Sequence, residues 1–140
     1  MAPEAQPAAP GATHAGHLGT AAFPRAPQSA GDARRWMRKL LGLLGEDDLD
    51  NVVILVSELV TNAVTHTEER DSAKVSVNVT YNDAVLKVEV TDDGSGEWGI
   101  PQLGRDGGRG LAIVEKLSDL YGVTHSGDTT VWFELKTTGQ

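Results

Sequence analysis

Three groups of residues have the types and spacings from which chemistry can be built. Glu58 and Asn62 lie four apart in a helical pattern, so they stack on one flank, which Thr65 and His66 share. On a cleft wall, Asn62 offers a neutral oxygen suited to Mg²⁺. Glu58 offers a carboxylate able to orient or deprotonate a hydroxyl or water at the phosphate end of a ligand. The plain alternative is an acid and an amide on a solvated helix face. The second group, Asp92-Asp93-Gly94-Ser95-Gly96, follows a strand whose inward residues by alternation are Leu86, Val88 and Val90, which puts Asp92 on their face. A carboxylate aimed at a core is costly unless a donor meets it, and an adenine amino group is an uncharged donor of that kind. Alternatively the strand stops one residue early, Asp92 caps a turn, and Gly94 and Gly96 merely supply positive φ angles. The third group is GRDGGRGL at 104–111, leading into a helix. Its glycines leave backbone N–H groups open at a helix N-terminus, an anion site made of partial charges that Arg105 and Arg109 can assist. It matches neither the G-x-G-x-x-G nor the Walker spacing, and a flexible connector has the same composition.

These groups need elements to hold them. The stretch HLGTAAF at 17–23 reads as a short first strand that Pro24 and Pro27 interrupt. From Ser29, with Ser29 or Asp32 as cap, Trp36, Met37, Leu40, Leu41 and Leu44 recur at helical spacing up to Gly45. The outer side of this helix carries Arg34, Arg35, Arg38 and Lys39, suited to an acidic protein or a membrane surface, or simply solvated. A longer helix is expected over 47–66, with Val52, Val53, Val56, Leu59, Val60 and Ala63 along one stripe. Alternation over 74–81 and 84–92, with Asn82-Asp83 between, predicts an antiparallel hairpin. A helix over 111–120 and strands over 122–125 and 129–136, turning at Gly127-Asp128, complete the order β-α-α-β-β-α-β-β. Segregated helices and antiparallel strands define an α+β class: a two-layer sandwich, its mixed, mostly antiparallel sheet covered on one face by three helices.

Composition narrows the functions. One domain is expected from 140 residues, with a disordered Ala/Pro/Gly tail over 1–16 and the folded unit over 17–140. His14 and His17, three apart, fall in or beside that tail without further ligands and make a poor metal pair. There is no cysteine, hence neither a disulfide framework nor a thiolate zinc site. The longest apolar runs fall far short of the roughly 20 residues of a membrane span, and the first residues lack the basic start and apolar stretch of a secretory signal. A cytoplasmic location is expected. Residues 1–45 hold five basic and two acidic side chains, against seven and eighteen over 46–140. So acidic a body argues against direct nucleic-acid binding. It also requires that a phosphate ligand be met by a metal ion or backbone N–H groups.

An E-x-x-x-N helix, a strand ending D-x-G-x-G and a G-x-G entering a helix, in that order, resemble the GHKL ATPase/kinase superfamily. The phrases SELVTNAVTH at 57–66 and GRGLAIVEKLSDLYGV at 108–123 are similar to those of bacterial anti-sigma-factor serine kinases. The resemblance covers about residues 17–137 and implies a fold of the Bergerat type that binds ATP with Mg²⁺. It also implies a protein that sequesters a sigma factor or phosphorylates a serine of an anti-sigma antagonist. By the same resemblance Asn62 corresponds to the Mg²⁺-binding asparagine, Glu58 to the catalytic base and Asp92 to the adenine-recognising aspartate, its loop shaped by Gly94 and Gly96. Gly108, Arg109, Gly110 and Leu111 correspond to the glycine motif near the phosphates, and Thr130 to the threonine of the adenine-aspartate network. Arg34 corresponds to an arginine that contacts protein partners. Between Gly96 and Gly108 the segment EWGIPQLGRDG departs from the family pattern, which leaves lid closure and turnover open. Homodimers are common in the family.

The readings that follow are a Mg-ATP-dependent serine kinase and anti-sigma factor, or a non-catalytic module of the same fold that docks a sigma factor or antagonist. A detached histidine-kinase ATPase domain fits less well, because no dimerisation helix with a phospho-acceptor histidine is present.

Overall fold

The computed structural model describes residues 16–42, 44–66, 74–92, 109–126 and 128–137, with the backbone alone at 65, 66, 109–112, 125, 126 and 128. Its elements are β1 (His17–Pro24), α1 (Ser29–Leu40), α2 (Glu46–His66), β2 (Lys74–Asn82), β3 (Val85–Asp92), α3 (Arg109–Leu117), β4 (Leu120–Ser126) and β5 (Asp128–Lys136). The five strands form one sheet in the order β1-β2-β3-β5-β4. Every pairing is antiparallel, so the sheet is uniform where the sequence reading allowed a mixed one.

Alternation sets the two faces. Ala21 and Phe23 of β1, Val75, Val77 and Val79 of β2, Leu86, Val88 and Val90 of β3, and Val131, Phe133 and Leu135 of β5 all point to one side and are buried. Against them pack Ala33, Trp36 and Met37 of α1, the stripe Val52, Val53, Leu55, Val56, Leu59, Val60 and Ala63 of α2, and Val114 of α3. Phe23 and Trp36 meet edge to face, with ring centroids 6.2 Å apart. Each Val, Leu, Phe or Met side chain of this layer taken out of water contributes about 1.5–3 kcal/mol, and the layer anchors the helices.

The other face is polar and explains why helices cover only one side. His17 Nε2 lies 2.9 Å from both Thr20 Oγ1 and Asn78 Oδ1, and Asn78 Nδ2 donates to Glu89 Oε1 at 2.8 Å. Nearby, Lys87 Nζ sits 4.9 Å above the centre of the Trp132 ring. That ring lies over Gly122, where an added Cβ would come within 2.7 Å of it, so only glycine leaves the space.

Three local expectations shift. The first helix closes at Leu40, ahead of Gly45. The chain then turns, with Leu41 N–H donating to Met37 O at 2.9 Å, and still buries Leu41 and Leu44. Neither Ser29 nor Asp32 caps that helix, Asp32 lying within its first turn. Gln28 is the cap residue, and the buried Ser29 hydroxyl donates to Pro24 O at 2.5 Å, tying the helix start to the end of β1. In the β2–β3 hairpin Asn82 pairs with Val85, so the turn residues are Asp83 and Ala84, one position later than expected. Both have positive φ, 52° and 66°, as a two-residue hairpin turn of the primed kind demands.

Candidate functional site

The candidate residues sit on α2, at the end of β3 and the start of β5 that pairs with it, and at the start of α3. Helix α2 packs over β2 and β3 and touches α3. Glu58 is half-buried on α2. Asn62, one turn later, is 8% exposed, at the margin of the apolar stripe rather than on the open flank. Burial of the amide fits a wall of a cleft better than a solvated helix face.

Asp92 is the last residue of β3 and is 0% exposed. It continues the inward series Leu86, Val88 and Val90, so the strand does not stop early and its carboxylate faces the helix layer. Across the ladder it pairs with Val75 on one side and Thr129 on the other. Thr129 is 5% exposed and on the same inward face. Thr130 is one residue on, and the alternation carries it to the polar face. There its hydroxyl lies 2.7 Å from that of Thr91. The threonine beside Asp92 is therefore Thr129, and the expected Thr130 is displaced by the one-residue register of β5.

A second residue at Asp92 was absent from the sequence reading. Arg25, in the turn after β1, donates from Nη2 to Asp92 Oδ1 at 2.5 Å, with side chains 1% and 0% exposed. Its only signal in sequence is a basic residue held between Pro24 and Pro27, where the chain leaves the sheet and can reach across the ends of the strands.

Helix α3 begins at Arg109, with Gly110 and Leu111 in its first turn. No acidic residue occupies that turn, whereas α2 opens with Glu46, Asp47 and Asp48. The start of α3 is thus the helix terminus whose backbone N–H groups and dipole would meet an anion without opposition. Gly94, Gly96, Arg105 and Gly108 lie outside the described residues, as do His14 and the tail over 1–15. Arg34 is exposed on α1 and donates from Nη1 to Ser57 Oγ at 2.8 Å.

The family of this chain follows from sequence as well as shape. The model of the histidine kinase-like ATPase domain matches residues 23–135, and the chain belongs to that family. It is an ATP-binding domain of the GHKL class, for which ATP and Mg²⁺ are the general ligands. No curated protein matches the chain significantly.

The donor set fits that pair of ligands in part. Among the described residues no group of three His, Cys, Asp or Glu side chains converges as a metal cage. A Mg²⁺ ion held by one protein amide and otherwise by phosphate and water oxygens needs none. The Asn62 amide and the N-terminus of α3 suit a metal–phosphate group. The Asp92 carboxylate, by contrast, is covered by Arg25. Among the described residues no helix is long and apolar enough to cross a membrane.

Proposed function

We propose that the protein is a Mg-ATP-dependent protein serine kinase and anti-sigma factor. In this reading it acts in the cytoplasm, binding a sigma factor and phosphorylating a serine of an anti-sigma antagonist in a partner-switching pathway. The observation that carries the reading is the inward, fully buried Asp92 at the end of β3, on the sheet face over which α2 brings Glu58 and Asn62. Mg-ATP, when bound, supplies the transferable phosphoryl group and the metal charge that offsets phosphate repulsion in an acidic protein.

Each residue then has a task. Asp92 accepts a hydrogen bond from the exocyclic amino group of the base, with Thr129 beside it. Asn62 offers its side-chain oxygen to the metal ion. The open backbone N–H groups at the start of α3, at Arg109, Gly110 and Leu111, would meet the phosphates with partial charges, which suits a protein with more acidic than basic side chains; Gly108, just ahead of the helix, belongs to the same motif. Glu58 takes the proton of the partner serine hydroxyl, and most of the remaining catalysis is positioning. Arg34, on the basic face of α1, contacts the partner.

The test is phosphorylation of a cognate antagonist by wild type and Glu58→Ala. Transfer by wild type alone supports the kinase, and equal transfer by both removes Glu58 from the mechanism. A second reading, a docking module without turnover, is favoured by the Arg25 side chain on Asp92. Its signature is tight partner binding with no transfer by wild type.

A further inference from the structure

The Arg25–Asp92 pair has no place in the nucleotide chemistry above, yet it lies at the centre of the base site. At 0% exposure the Asp92 carboxylate is closed to solvent, so no base reaches it unless a neighbouring group moves. Val75 and Thr129, its ladder partners, are held by backbone pairing. Arg25 belongs to a turn, in which its backbone neighbours Ala26 N–H and Ser29 Oγ both donate to Pro24 O. Of these three described neighbours, Arg25 is the one that reaches the carboxylate through a long side chain able to move.

Two opposing effects act on it. Its bond to Asp92 is charge-assisted and favours the closed arrangement. Its Nε and Nη1 groups are buried without a hydrogen-bond partner among the described residues, a cost that ends when the side chain swings into water. A contact favoured by one such effect and opposed by another of similar size has the balance of a two-state element.

We propose that Arg25 is a latch on the nucleotide site. In the free protein it occupies the Asp92 carboxylate, and a base bearing an exocyclic amino group binds only after the guanidinium has moved out. This rests on the reading of Asp92 as the base acceptor. A latch closed in about nine molecules of ten makes the apparent nucleotide affinity about tenfold weaker than that of the open site.

The experiment is calorimetric titration of the full chain with Mg-ATP in wild type, Arg25→Gln and Asp92→Asn. The expected result is binding that is tightened about tenfold or more by Arg25→Gln and abolished by Asp92→Asn. Equal or weaker binding by a folded Arg25→Gln, with Asp92→Asn still inactive, overturns the latch and leaves the nucleotide reading standing. Absence of binding in all three overturns the nucleotide reading itself. Because removing Arg25 leaves Asp92 buried without this cation, Arg25→Gln is open to misfolding. A second measurement therefore uses wild type: solvent exchange of the Arg25 Nε–H, followed by NMR. Protection that is lost as Mg-ATP is added supports the latch, and protection that persists at saturation overturns it.

Discussion

Thr129 stands directly across the β3–β5 ladder from Asp92, and both side chains are buried on the face that carries the helices. The next pair along, Thr91 and Thr130, faces the other way and closes a hydroxyl–hydroxyl bond of 2.7 Å. Two adjacent threonines of β5 therefore belong to different surfaces, one to the inward face beside Asp92 and one to the polar side of the sheet.

Near-isosteric replacement separates them. Thr129→Val removes a hydroxyl next to Asp92, the proposed base acceptor, and ATP affinity is expected to fall about tenfold, the worth of one well-placed hydrogen bond. Thr130→Val breaks only the bond to Thr91 and is expected to cost about 1 kcal/mol of stability with unchanged affinity. Parallel calorimetric and urea titrations check both, and the reverse pattern would return the role to Thr130.

Ala84 sits in the left-handed region at φ 66°, second in the β2–β3 turn after Asp83. Its carbonyl is clamped by the Thr137 N–H at 2.8 Å and the Thr137 hydroxyl at 3.0 Å, which holds it in a conformation that a Cβ disfavours. Ala84→Gly keeps the carbonyl and relieves the Cβ, making an Asp-Gly turn. Unfolding free energy is expected to rise by about 1 kcal/mol, read as a higher urea midpoint at constant slope. A lower midpoint would mean that the turn is not strained.

Periodicity made most of the scaffold legible. The stripe from Val52 to Ala63 and the alternation of Leu86, Val88, Val90 and Asp92 are one-dimensional patterns, and both became buried faces where expected. What escaped depends on contacts between distant segments. The hairpin turn moved by one residue because the pairing of Asn82 with Val85 fixes it, not the turn propensity of Asn82-Asp83. The choice between Thr129 and Thr130 needed the register of β5 against β3. Arg25 meets Asp92 across 67 positions of chain, a contact that no local spacing encodes.

Ser29 is fully buried, and its hydroxyl bond to Pro24 O joins β1 to α1 immediately beside Arg25. Pro24 O also accepts from Ala26 N–H at 2.9 Å, so Ser29→Ala does not orphan the carbonyl. The loss of stability is therefore expected at the lower end for a buried hydrogen bond, about 1 kcal/mol. A drop several times larger in chemical denaturation would show that the turn holds more of the fold than this bond.

The basic face of α1 is unevenly compensated. Arg35 pairs with Asp32, and Arg38 approaches Asp50 at 3.4 Å, while Arg34 gives its hydrogen bond to the neutral Ser57, the residue before Glu58. All three arginines are exposed, so their contacts add little stability. Arg34→Ala is expected to change unfolding free energy by less than about 1 kcal/mol and to leave ATP affinity unaltered. Binding of an acidic partner surface is expected to weaken about tenfold or more, as when a central arginine of an interface is lost. Anisotropy titration of the labelled antagonist at several salt concentrations checks this. Equal affinity for wild type and Arg34→Ala would place the partner surface elsewhere on the chain.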